Sequence, residues 1–102
     1  DGAFFETYVV TEIVKSYYNA GKPVDLFYYR DIDKKEIDLL IVEGDKIYPI
    51  EIKKSKEPSK PDKNFGVLQQ FKLDVQPGLI LCMSDELIPY NRESWYCPVS
   101  VL

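Results

Sequence analysis

The chain has no histidine, only two cysteines, and no apolar run near the roughly 18 residues that a membrane-spanning helix requires. Without histidine, Ser–His and Cys–His nucleophilic catalysis is excluded, and carboxylates, lysines and tyrosines are left for acid–base chemistry. Cys82 and Cys97 are far apart in the sequence. This spacing predicts reduced core residues of a cytosolic protein rather than a disulfide scaffold, and no signal peptide is recognisable. Because two cysteines cannot complete a zinc site, any metal would be a hard cation on oxygen ligands.

Positive charge is in short supply overall but concentrated in one segment. The chain has 13 Lys and Arg against 17 Asp and Glu, a net charge of −4, so the surface as a whole is not typical of a nucleic-acid-binding protein. Residues 46–63 nevertheless hold six lysines against three acids. A lysine-rich loop is most often simply solvated, but these lysines would also suit contact with a phosphate backbone. The candidate nucleic-acid-binding residues are Lys54, Lys56, Lys60 and Lys63.

Hydrophobic periodicity predicts one α/β domain over residues 1–102, with the element order αβββαβ. Apolar residues recur with helical spacing over 3–20, and Gly21 and Pro23 end that pattern. Runs of β-branched and aromatic residues predict four strands, at 26–30, 36–42, 46–53 and 79–83. A polar loop over 54–63 and a short helix over 65–73 complete the order, with a further edge strand at 95–101. We expect a mixed sheet flanked by helices.

The connection between the second and third strands determines how they pair. Gly44 and Asp45 suit a two-residue hairpin turn in which the glycine supplies the positive φ. The register then places Leu39 opposite Ile50 and Asp38 opposite Glu51. One face of the hairpin would carry apolar side chains only, namely Ile37, Leu39, Ile41, Tyr48, Ile50 and Ile52.

The other face brings two carboxylates together. Asp38 and Glu51 would stand side by side among apolar neighbours, and adjacent half-desolvated acids are unfavourable unless they share a proton or a cation. Lys53 lies two residues after Glu51 and would project to the same side. We therefore interpret Asp38 and Glu51 as ligands of Mg²⁺ or Mn²⁺, with Lys53 assisting a hydrolytic water. The alternative is a solvent-exposed hairpin carrying a Glu–Lys pair.

The first helix offers a third acid. On a helical wheel Glu6 falls near the centre of the apolar arc, between Ile13 and Tyr17, whereas Glu12 falls on the polar side. Glu6 is therefore a candidate catalytic residue that would help to hold the metal, and Glu12 is a weaker one. Alternatively, Glu6 is a structural residue, because a negative charge in the first turn interacts favourably with the helix dipole.

The order of helix-borne Glu6, then Asp38, then Glu51-Ile52-Lys53 resembles the PD-(D/E)xK nuclease superfamily, which includes restriction enzymes. Ile37 stands where the motif has proline, a common departure. Several segments together resemble the DUF4143 domain: 2–6, 28–31, 36–40, 48–53, 65–71 and 79–83.

These resemblances imply a restriction-endonuclease-like core and a metal-dependent nuclease acting on nucleic acid in the cytoplasm. They also imply that an AAA-type ATPase module precedes Asp1 in cis, so that ATP binds there rather than to this chain. The alternative is a catalytically inactive module of the same fold, which binds nucleic acid or protein and regulates the attached ATPase.

Overall fold

A computed structural model describes residues 2–23 and 25–102, with one α-helix and a mixed seven-stranded sheet. Helix α1 covers Gly2–Asn19, and the turn that follows contains Gly21, which has a φ of 68°. The strands are β1 (Asp25–Arg30), β2 (Glu36–Glu43), β3 (Lys46–Ile52), β4 (Asp74–Val75), β5 (Gly78–Cys82), β6 (Ile88–Pro89) and β7 (Ser94–Pro98). Two 3₁₀ helices follow β3 and β7, η1 (Phe65–Gln70) and η2 (Val99–Val101). No helix in the described part of the chain is long and apolar enough to cross a membrane.

The strand order is β1-β2-β3-β5-β7-β6, with β4 also paired to β3. The first three strands form an antiparallel meander, whereas β3, β5 and β7 run parallel to one another. The sequence-based prediction of β7 as an edge strand is wrong, because β6 covers its outer side. The predicted helix after the polar loop is a 3₁₀ helix that ends at Gln70.

Two apolar layers hold the sheet. On one face Val9 and Ile13 of α1 pack on a buried cluster formed by Leu39, Ile41, Ile50, Ile52, Leu81 and Cys97. On the other face Leu68 of η1 packs on Ile37, Leu40 and Ile47. A third cluster on β5 and β7, made by Ile80, Cys82 and Tyr96, lies beneath the polar loop, whose Pro58 carbonyl accepts a hydrogen bond from Tyr96 Oη at 2.7 Å.

The hairpin register is as predicted from Leu39 to Glu43, and Gly44 has the expected positive φ of 62°. The predicted face of Ile37 is wrong, because Ile37 packs with Leu40 rather than with Leu39. Between the pairs Phe27–Leu40 and Tyr29–Ile37, β2 advances by one residue more than β1 does. This bulge turns Ile37 to the face of η1 and displaces Asp38 from regular pairing.

On the side of β3 that faces away from β2, two strands pair with it one after the other, β4 and then β5. β4 pairs with Lys46 and Ile47, and β5 pairs with the segment from Ile50 onwards. Pro49 is fully buried between these two pairings. It lies four residues before Lys53, whose amide donates to the Leu81 carbonyl of β5, so the missing Pro49 amide faces the same edge.

Candidate active site

Asp38 and Glu51 meet where the β2–β3 ladder ends. The last backbone pair is Leu39–Ile50, and beyond it carboxylates take the place of carbonyl partners. Asp38 Oδ2 accepts a hydrogen bond from the Ile52 amide at 2.9 Å, and Glu51 Oε1 accepts one from the Asp38 amide at 3.3 Å. These bonds fix one oxygen of each carboxylate and leave the other for a proton or a cation.

Glu51 is the more strongly perturbed acid. It is only 7% exposed, and burial, together with the negative charge of Asp38 and a hydrogen bond between the two side chains, raises the pKa of Glu51 to about 8. The Lys53 ammonium and the Asp38 amide act in the opposite direction without cancelling this rise. This shift favours the protonated form of Glu51 at neutral pH when no cation is bound.

Lys53 follows the last residue of β3 and stands over Glu51. Its Nζ lies 3.8 Å from Glu51 Oε2, and its backbone amide donates to the Leu81 carbonyl at 2.9 Å. The side chain is 49% exposed, so the backbone is fixed by β5 while the ammonium remains accessible from outside.

The two acids of α1 lie in different surroundings. Glu6 is half-buried, and desolvation followed by the charge of Asp38 raises its pKa, while Lys53 lowers it. Glu6 thus lies within electrostatic reach of the pair, although it lines a separate shallow depression with Thr7 and Val10. Glu12 forms an ion pair with Lys15 at 3.6 Å.

The acid pair lies in a cleft of about 400 Å³ with a basic wall. Lys60 and Lys63 of the polar loop line it, whereas Lys54 and Lys56 do not. Lys34, Glu36 and Asn64 also line the cleft, and no sequence pattern had indicated them as site residues. Glu36 has its charge engaged elsewhere, since Oε1 lies 3.2 Å from Arg30 Nε.

The polar loop is attached to the sheet at several points rather than projecting into solvent. Besides the Tyr96 hydroxyl on Pro58, the Met83 amide donates to the Ser55 carbonyl at 2.8 Å. Asp62 Oδ2 accepts hydrogen bonds from Asn91 Nδ2 at 2.8 Å and from Ser94 Oγ at 3.1 Å. The loop lysines are therefore carried on a fixed backbone.

The residues at this site that could contribute oxygen ligands to a metal ion are Asp38 and Glu51. Within residues 2–23 and 25–102, no three carboxylate or cysteine side chains lie together in a way that could hold a metal ion. Asp38 and Glu51 offer one oxygen each, and Mg²⁺ is commonly bound by one or two carboxylates, with waters and substrate phosphates completing its octahedron.

The segments that resemble DUF4143 lie within a family match that covers residues 1–102. The model of a domain of unknown function, DUF4143, matches residues 1–102. The chain belongs to the DUF4143 family. No curated protein and no solved structure matches this DUF4143 domain significantly. The cleft geometry therefore carries the functional argument.

Proposed function

We propose that this DUF4143 domain is a metal-dependent phosphodiesterase of the nuclease type, with a restriction-endonuclease-like core. The observation that carries the proposal is the coupled pair Asp38 and Glu51 beside Lys53, in a cleft with a lysine wall. Two ionised carboxylates at this position, one buried and one half-buried, would repel each other, and a bound divalent cation would offset that repulsion in place of a proton.

Asp38 and Glu51 would hold Mg²⁺ or Mn²⁺ in the proposed site, and Glu6 would contribute directly or through water. The ion would polarise a phosphoryl oxygen and make a bound water more acidic. In the hydrolysis, the water oxygen bonds to phosphorus and loses a proton to solvent. The phosphorus–oxygen ester bond breaks, and the leaving oxygen takes up a proton.

Lys53 would act on the charge that develops on phosphorus during this reaction. Its ammonium stands beside Glu51 and remains accessible, so it can donate a hydrogen bond to a non-bridging phosphoryl oxygen or to the attacking water. Because that charge is larger in the transition state than in the substrate, Lys53 should affect the rate more than binding.

The test is Mn²⁺-dependent cleavage of single-stranded, duplex and branched DNA and RNA, in the presence of ATP, by the purified full-length protein that includes the proposed ATPase module; the domain alone should cleave weakly or not at all. Wild type should cleave at least one substrate, and Lys53→Ala should lower the rate by at least about 100-fold, as expected for loss of a transition-state contact. Lys46→Ala is the matched control, because Lys46 lies at the opposite end of β3.

Lys46→Ala should retain the wild-type rate. If all substrates remain intact with Mn²⁺ and ATP present, phosphodiester hydrolysis is refuted. Equal losses in the two lysine variants would instead remove Lys53 from the mechanism.

A second candidate is an inactive module of the same architecture that binds nucleic acid or protein. It is favoured by the absence, among the residues the structure describes, of a three-residue metal cluster. In either case we propose an AAA-type ATPase module in cis, which this domain would regulate or which would deliver nucleic acid to it.

A further inference from the structure

Two lysines of the cleft adopt a backbone conformation that lysine disfavours. Lys34 has a φ of 61° and Lys60 a φ of 46°, and within the described ranges they are the non-glycine residues with positive φ. Both line the cleft, Lys34 from the turn between β1 and β2 and Lys60 from the polar loop. Gly, Asn or Asp would adopt this conformation at lower cost, so the residue type at these positions has a reason beyond the turn itself.

The wall that carries Lys34 is built to hold its shape. Asp31 Oδ1 accepts hydrogen bonds from the amides of Asp33 at 2.9 Å and Lys35 at 3.0 Å. Tyr29 Oη donates to Asp31 Oδ2 at 3.0 Å and accepts a hydrogen bond from Gln70 Nε2 at 3.1 Å. The β1–β2 turn is therefore tied to η1.

The part of the cleft that the polar loop forms is tied to the same framework. Asn64 Nδ2 donates to the Glu36 carbonyl at 2.9 Å, which joins the end of the polar loop to the start of β2. Lys60 precedes the buried Pro61 and the anchored Asp62. Hydrogen bonds therefore connect the two segments that carry the positive-φ residues Lys34 and Lys60.

The charges of the cleft lysines are not compensated locally. Lys53 lies near Glu51, but Lys34, Lys60 and Lys63 have no carboxylate within 4 Å among the described residues. Three lysines in one cleft without a carboxylate partner within 4 Å create a site suited to an anion.

We propose that Lys34 in the β1–β2 turn and Lys60 in the polar loop both contact the phosphodiester backbone of a nucleic acid strand, with Lys63 adding positive charge to the same cleft. This inference rests on the proposed function for the identity of the ligand. Lys34 is its new element, because the β1–β2 turn then becomes part of the binding surface. This role would account for a lysine in a disfavoured backbone conformation at both positions.

The test separates binding from cleavage. Fluorescence anisotropy with a labelled single-stranded DNA oligonucleotide, in EDTA and at low ionic strength, measures affinity and its salt dependence for wild type, Lys34→Gly, Lys34→Arg and Lys35→Ala. Lys34→Gly removes the charge while suiting the backbone, Lys34→Arg keeps the charge, and Lys35→Ala removes an adjacent lysine that does not line the cleft.

Lys34→Gly should weaken binding several-fold and reduce the slope of log affinity against log salt by about 0.7, the value for one lost phosphate contact on a single strand. Its melting temperature should equal or exceed that of wild type, while Lys34→Arg and Lys35→Ala should bind like wild type. Equal weakening in Lys34→Gly and Lys35→Ala, unchanged affinity in Lys34→Gly, or no binding by wild type would each overturn the inference. Absence of cleavage with Mn²⁺ would refute the proposed hydrolysis and leave the binding result valid.

Discussion

At the scale of single residues, the Asp38–Glu51 pair makes the stability of the protein depend on pH. The pKa of Glu51 is raised to about 8 by burial, by the charge of Asp38 and by their hydrogen bond. In the unfolded chain Glu51 loses its proton near its ordinary pKa of 4.5. Between these values the folded state binds more protons, so the free energy of unfolding decreases as pH rises.

Glu51→Gln should remove much of this dependence, because glutamine keeps a polar side chain of similar shape without a titrating proton. In metal-free buffer the wild type should lose on the order of a few kcal/mol between about pH 5 and pH 8, since one pKa unit corresponds to roughly 1.4 kcal/mol. Denaturant unfolding of wild type and Glu51→Gln at a series of pH values measures this loss of unfolding free energy.

Glu6→Gln provides the comparison for Glu51→Gln, because Glu6 also has a raised pKa but is less buried. It should flatten the profile less. A wild-type slope unchanged in Glu51→Gln would show that the pair does not hold the shared proton.

The response of the melting temperature to metal ions is a second test of the Asp38–Glu51 pair. Millimolar Mg²⁺ or Mn²⁺ should raise the melting temperature of wild type, because a ligand that binds only the folded state stabilises it. Asp38→Asn should relieve repulsion, so the metal-free variant should be no less stable than wild type while its response to metal is lost. Differential scanning fluorimetry measures both.

Asp45→Asn in the hairpin turn is the matched control for Asp38→Asn, since it removes the same charge at the far end of β2 and β3. It should keep the wild-type response to metal. Equal metal-induced shifts in wild type and Asp38→Asn would mean that no metal binds at this pair.

At the scale of elements, η1 is held against the sheet by the close approach of Phe65 to Gly78. A Cβ on Gly78 would overlap the Phe65 ring, whereas a Cβ on Gly66 within η1 would meet nothing within 4 Å. Gly78 also donates its amide to the Glu93 carbonyl at 2.8 Å, so β5 cannot shift freely to make room.

Gly78→Ala should therefore lower the free energy of unfolding by about 1–3 kcal/mol, the usual range for overpacking. Gly66→Ala should be near neutral. In a Phe65→Ala background the cost of Gly78→Ala should largely disappear, which a double-mutant cycle by urea unfolding measures. A cost independent of residue 65 would contradict this origin.

The elements that could be predicted from the sequence are those with a strong local signal. The Gly44-Asp45 turn and the alternating pattern specified the hairpin register, and hence the meeting of Asp38 and Glu51. The bulge that turns Ile37 has no comparable signal, because it depends on how β1 pairs with β2. The two-residue strands β4 and β6 were missed, since they are too short to show a periodicity.

The candidate site was predictable only in its acidic half. The spacing of residues along one hairpin predicts that Asp38, Glu51 and Lys53 lie together. Lys34 lies in the cleft because its turn adopts a left-handed backbone conformation, and a lysine in the sequence gives no sign of that conformation. Lys60 and Lys63 were candidates by composition, and only the anchoring of the loop separates them from Lys54 and Lys56.

At the scale of the whole molecule, the question is whether net charge or the local field of the cleft governs association with nucleic acid. A chain with a net charge of −4 repels a polyanion at long range, and salt weakens both this repulsion and the attraction by the cleft. Two variants of identical net charge can separate the contributions.

Replacing Lys60 and Lys63 by alanine should weaken oligonucleotide binding strongly and reduce its salt dependence. Replacing Lys54 and Lys56, which lie in the same loop but do not line the cleft, should have only a small effect. Anisotropy titrations over a range of salt concentrations compare them. Equal losses would show that the loop acts through general charge alone.

The gap between β4 and β5, where neither strand pairs with β3 beside Pro49, affects local unfolding of the protein. Pro77 lies in the facing chain between β4 and β5, so a proline without an amide hydrogen stands on each side of the gap. Asp74 and Gln76 are held by separate bonds to the carbonyls of Asp45 and Ile47. We therefore expect the segment 74–76 to open locally and to exchange its amide hydrogens faster than the parallel strands β3, β5 and β7, which hydrogen exchange would measure.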